Sequence, residues 1–163
     1  MFIKNDYVVY QKKVCQIMDI QERKRDGILC YKLIPLEEKD LSIEVPVDNP
    51  AIRSPITKEK AIQVIHLIPS ISPLPLEDDK YLEAKYKSLL QEASYEDYIT
   101  IIKTAYLRNH SRMEMKKKVN EKDLYYFELA EKYFYNELAL PFHYSFEEMK
   151  NYIIQTVQGL VSE

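Results

Sequence analysis

The residues able to do chemistry stand apart from one another. His66, His110 and His143 are far apart in sequence, without the close His/Cys spacing of a zinc site, and fit surface or satisfied histidines. The carboxylate pairs Asp78-Asp79 and Glu147-Glu148 lie near predicted helix starts, where negative charge complements the helix dipole and no acid–base role is needed. No Gly-rich phosphate loop, HExxH or Cys-x-x-Cys is present, so neither an enzyme nor a bound metal or cofactor is expected. The charge runs Glu22-Arg23-Lys24-Arg25 and Lys116-Lys117-Lys118 fit solvated surface, or else contact with an acidic protein surface or DNA. Fourteen tyrosines and no tryptophan make an unusual aromatic set, and Tyr125, Tyr126, Tyr133 and Tyr135 fit a core rim better than a base-stacking platform.

Composition bounds what could position these groups. With 163 residues, 46% of them hydrophobic, the chain can bury one moderate core or two small ones. A net charge of -3 excludes a protein held mainly by phosphate contacts; any DNA contact must be local and needs a partner. Two cysteines, Cys15 and Cys30, without a signal-peptide pattern predict free thiols in a reducing cytosol. No apolar run approaches the ~20 residues that span a bilayer, so the expectation is a soluble, cytoplasmic protein with no membrane partner.

The first 49 residues alternate with a period near two and predict four short strands, around Tyr7-Val8-Val9, Val14 to Ile20, Ile28 to Leu33, and Leu41-Ile43-Val45. Asp26-Gly27 marks a hairpin between the second and third, with residues 21–26 as an exposed basic tip. Pro46 can sit only at a strand's edge or end. A sheet this small must curl or pack on something, which favours a half-open barrel.

After residue 49 the pattern turns helical. Thr57 is a predicted N-cap, with Lys60 where a capping-box glutamate would stand, for a helix over 58–68 bearing Ala61, Ile62, Ile65 and Ile68. Pro69, Pro73 and Pro75 mark 69–76 as a semi-rigid linker between domains 1–68 and 77–163. Three apolar stripes follow: Leu82, Tyr86, Leu89, Leu90; Tyr98, Ile101, Ile102, Ala105 with Ser94 and Asp97 as cap; and Leu124, Phe127, Ala130, Phe134, Leu138. They predict a bundle joined by a polar connector over 108–120. A further helix over 146–160 either covers an apolar face of the bundle or forms a self-association surface.

Two segments carry a family resemblance. Asn5-Asp6-Tyr7-Val8-Val9-Tyr10 is similar to an "xGDxVVYP" strand. Asp40-Leu41-Ser42-Ile43 with Val45-Pro46-Val47-Asp48-Asn49 is similar to "DLTxxVPVDN". Together with Tyr135-Asn136-Glu137-Leu138-Ala139-Leu140, similar to a closing "xxELAL", they make the chain resemble the CarD/CdnL/TRCF family of bacterial transcription factors over about residues 1–140. The resemblance implies an α+β protein: a small antiparallel Tudor-like β-barrel that binds RNA polymerase, followed by an all-α helical domain. The helix from about 146 lies past the usual family domain.

What the resemblance implies for function is a two-grip transcription regulator. The barrel would pair a strand edge, here Leu41, Ile43, Glu44 and Val45, with the β1 lobe of the polymerase β subunit, aided by Arg23, Lys24 and Arg25 in the hairpin. Glu44 departs from the basic or apolar residue usual there. The helical domain would hold promoter DNA at the upstream edge of the bubble, where the family wedges a tryptophan. Here Leu82 takes that place with Tyr81 beside it, and Lys85, Lys87 and Arg108, with Lys80, are the cations placed for phosphates. The alternatives are a protein–protein adaptor without a DNA role and a dimeric scaffold built on the last helix.

Overall fold

A computed structural model describes residues 1–75 and 79–162; the expected linker's end at Leu76, the helical domain's start at Glu77 and Asp78 of the first carboxylate pair lie outside the described residues. The fold is α+β: a four-stranded antiparallel sheet followed by five α-helices among the described residues. Two compact units divide at Met1–Ile56 and Thr57–Glu163.

In the first unit, strands β1 (Tyr7–Tyr10), β2 (Lys13–Glu22), β3 (Leu29–Pro35) and β4 (Ile43–Pro46) pair in chain order. Their inner face buries Val8, Cys15, Ile17, Tyr31, Leu33 and Val45, with Ile20, Ile43 and Val47 packed on this core. The apolar residues of β2 fall three apart at Ile17 and Ile20, which a perfect period of two would send to opposite faces. A bulge resolves this. Ile17 pairs with Leu33 and Asp19 with Lys32, so Met18 is the extra residue and the phase flips behind it. Past β4 the chain returns to β1, where Val9 and Arg53 exchange both backbone hydrogen bonds (2.9 and 3.1 Å).

The first two of the three hairpins have left-handed backbone at their tips. Gln11 and Lys12 form the whole β1–β2 turn at φ 50° and 69°, since Tyr10 pairs with Lys13. This is a primed turn built from two residues that have a Cβ, and no Asn-Gly pair announced it. The β2–β3 connection runs from Arg23 to Ile28 where a tip over 21–26 was expected, and Gln21 and Glu22 belong to β2 rather than to the tip. Gly27 takes φ +69° there, with open space around a would-be Cβ.

The second unit contains α1 (Lys58–Leu67), a short 3-10 turn (Ile68–Ser70), α2 (Asp79–Glu92), α3 (Tyr95–Glu114), α4 (Glu121–Phe142) and α5 (Phe146–Ser162). Thr57 accepts from the Lys60 N–H as a lone cap, and Ser94 with Asp97 forms a full capping box. Four expectations need correction. The unit boundary falls at Ile56/Thr57, before the expected 69–76, because α1 packs against α4 and α5. The described part of the proline run is tied to α3: Lys103 Nζ donates to the carbonyls of Ile68 and Ile71 (2.6 Å to the latter), and Thr104 Oγ1 accepts from the Leu74 N–H (2.8 Å). The polar connector shrinks to residues 115–120, because α3 continues through Arg108 to Glu114. In α4 the buried stripe is Asp123, Tyr126, Ala130, Phe134 and Leu138, while Leu124 is exposed. The last helix packs on α4, burying Met149 and Ile153, which answers the covering role expected of it.

The turns give a test of opposite sign. Replacing Gln11-Lys12 by Asn-Gly should stabilise the protein by about 1–2 kcal/mol in urea unfolding, and Gly27→Ala should cost about 1 kcal/mol. Equal effects of like sign would refute the assigned backbone.

Candidate functional site

The β3–β4 ladder decides what β4 presents outward. Val47 N–H donates to the Leu29 carbonyl (3.1 Å), and the register continues as Tyr31↔Val45 and Leu33↔Ile43. In an antiparallel pair, hydrogen-bonded and non-bonded positions alternate, so Cys30↔Pro46 and Lys32↔Glu44 are non-bonded pairs. Pro46 therefore loses nothing by lacking an N–H. Glu44 turns its N–H and C=O to the outer edge, where β4 has no further strand among the described residues.

Of the residues expected at this edge, Ile43 and Val45 point their side chains into the core, Val45 being 2% exposed, so they can lend a partner only the position of their backbone. Leu41 lies ahead of the strand, in a turn where its N–H donates to the Glu38 carbonyl (2.9 Å), and its side chain is exposed. The strand thus begins two residues later than the Leu41 start expected. In this register Leu41 would stand opposite Pro35 at a hydrogen-bonded position, where proline has no N–H to donate, and the Leu41 N–H is already turned to Glu38.

The hairpin cations do meet Glu44. Gln21, Glu22, Arg23, Lys24, Arg25 and Glu44 line one surface depression of about 450 Å³. Arg23 grips Asp26 with two bonds, Nε to Oδ1 at 3.1 Å and Nη2 to Oδ2 at 2.6 Å, leaving 15% of its side chain exposed. That hydrogen bond holds the Asp26 carboxyl below its ordinary range and the Arg23 guanidinium above its own. Arg23 is consequently a brace for the tip. Arg25, 75% exposed with its Nε 3.9 Å from Asp26 Oδ2, and the exposed Lys24 are the charges a partner would meet.

The residues expected on the DNA side do not converge. On α2, Tyr81 is 58% exposed with Lys80 Nζ 5.6 Å from its ring centre, and Lys85 is half-buried one turn on. Lys87 sits 200° of helix away from Lys85 and pairs with Glu83 (3.6 Å). Leu82 is 7% exposed, inside the unit with Tyr86, and cannot wedge without leaving that packing. Arg108 is 10% exposed and donates from Nε to Asp123 Oδ2 (3.1 Å), while Tyr86 donates its hydroxyl proton to Asp123 Oδ1 (2.8 Å). Arg108 is therefore committed to the interior.

Asp123 was missed by sequence reasoning, because an acidic residue in a helix's first turn ordinarily faces water and the dipole. The signal that could have found it is its place one turn ahead of Tyr126 and two turns ahead of Ala130 on the inward stripe. The remaining chemistry-bearing groups stay scattered. Cys15 and Cys30 are free and buried, burial pushing the Cys15 thiol up to about 11. His66 and His143 are exposed, and His110 stacks on Tyr106 and lies 3.1 Å from Glu114. No group of three or more metal-type ligands occurs among the described residues, and no helix among them is long and apolar enough to cross a membrane.

Removing a buried partner should be costly here. Asp123→Ala strands the Arg108 charge and is expected to destabilise by about 3–5 kcal/mol, whereas Tyr86→Phe should cost about 1–2 kcal/mol, both read from urea midpoints. An Asp123→Ala variant as stable as wild type would show that the Arg108–Asp123 pair is not buried. No family model matches the chain, and no curated protein matches it.

Proposed function

We propose that this chain is a CarD-like transcription regulator whose first unit adds the open edge of β4 to a strand of the RNA polymerase β subunit, at the β1 lobe. The observation that carries the reading is the outward-facing backbone of Glu44 beside the exposed Lys24 and Arg25. Strand addition takes its affinity from such main-chain groups, and flanking charge sets register and association rate.

Two further features support it. Asn5 stands where the family motif has glycine, and it adopts φ 76°, a left-handed conformation that asparagine tolerates better than most residues. The return of the chain to pair Arg53 with Val9, on the side of β1 away from β2, suits a sheet curling toward a Tudor-like barrel. On this reading the helical unit modulates the stability of the promoter open complex.

A second reading, an adaptor that docks by the same strand and leaves DNA alone, is favoured by the burial of Leu82 and the Arg108–Asp123 pair. Salt separates the two. Binding to a forked promoter should weaken with a log–log slope of about -0.9 per phosphate contact if DNA is held, and the adaptor should show no promoter binding at low salt.

The docking itself is tested with the isolated β1 lobe of the cognate polymerase. Glu44→Pro removes the outward donor yet leaves every β3–β4 bond in place, so the variant should fold and bind about ten-fold or more weakly. Arg25→Glu should slow association and flatten its salt dependence. A folded Glu44→Pro variant binding as wild type would rule out addition at this edge; no binding by wild type would leave polymerase docking unsupported.

A further inference from the structure

The second unit holds a cavity of about 450 Å³ between the 3-10 turn, α3, α4 and α5, within the range of small-molecule sites. Ile68, Ile99, Ile102, Phe134, Ile153 and Val157 supply most of its wall. Ile154, 42% exposed, also lines it and leaves it open to solvent. Tyr106 and Phe127 line both this cavity and a second apolar depression of about 160 Å³ that reaches Met113 and Leu124. The space is therefore elongated along α3 and α4.

Its charges are few and unequal. Lys150 Nζ lies 3.4 Å from Glu131 Oε2, a pair that cancels itself. Lys103 has no carboxylate within ion-pair reach among the described residues, and its ammonium is held by the carbonyls of Ile68 and Ile71. An ammonium has three donors, so one remains. Burial lowers the proton affinity of Lys103 and raises that of Glu131; both directions express loss of water around the charge. A half-buried cation beside an apolar slot, balanced only by dipoles, is completed by one anionic group carrying an apolar chain.

We infer that this cavity binds an aliphatic monocarboxylate, its carboxylate on Lys103 and its chain along the Tyr106–Phe127 slot. A dianion such as a phosphate monoester would exceed the single charge and the single donor that Lys103 offers. The site is independent of the polymerase-docking edge, since every wall residue belongs to the second unit.

Calorimetric titration of the full chain with octanoate, decanoate and dodecanoate, below their micellar concentrations, tests this. Binding should tighten by about four-fold per added methylene that enters the slot, and decanoate should bind at least ten-fold tighter than decanol. Lys103→Met should abolish that preference for the acid while decanol still binds, which separates loss of the counter-ion from loss of the fold. Ile154→Glu, at an exposed rim position, should weaken decanoate without changing the circular dichroism. Failure of all three acids to bind, equal affinity for acid and alcohol, or a Lys103→Met variant that keeps the preference would each overturn the proposal. If the slot instead receives a partner's helix, none of the acids will bind.

Discussion

The phase of the β3–β4 ladder governs what the first unit can offer another molecule. Antiparallel pairing leaves alternate residues of an edge strand with their polar backbone turned outward, and a shift of one residue would exchange the two sets while turning the apolar side chains to water. Two independent facts lock this phase. Ile43, Val45 and Val47 must face the core, and Pro46, having no N–H, is tolerated only at a non-bonded position. Together they leave Glu44 as the residue whose backbone faces out. The open edge is thus dictated by burial of its neighbours, and its charge is a separate, adjustable matter of one exposed side chain.

The helical unit is organised by buried charge as well as by apolar packing. Asp123 takes both Tyr86 and Arg108, joining α2, α3 and α4 at one carboxylate, and the Asn109–Asn120 exchange closes the α3–α4 connection beside it. Such a cluster is intolerant of losing one member and adds little if all are replaced by well-fitted apolar groups. It fixes which faces meet. Its cost to function is equally specific, since a guanidinium held there is withdrawn from any phosphate.

Much of this was legible in the sequence. The β-then-α order, the Ser94 cap and the Gly27 turn follow from local rules in which each residue's own conformational preference decides. Arg23, Lys24, Arg25 and Glu44 were grouped by the family resemblance alone, and the ladder that brings them to one depression came from the structure. What could not be read were outcomes set by distant partners. The Gln11-Lys12 turn forms because β1 and β2 impose it against the preference of both residues. The Met18 bulge is visible only once β3 supplies the register. Arg108 looked like surface because its carboxylate lies 15 residues away on another helix.

The proline run teaches the same lesson with a practical edge. Anyone dividing the protein by eye would cut within residues 69–76, where three prolines suggest a joint. That cut would strip α1 from the helices it packs on and release the Ile68, Ile71 and Leu74 backbone groups from Lys103 and Thr104. The fragment beginning after the prolines would expose the apolar face that Ala61, Val64 and Ile65 had covered, a surface of the kind that drives aggregation during expression. Dissection between Ile56 and Thr57 respects both cores. The sequence element that most resembles a hinge is, mechanically, a seam sewn shut.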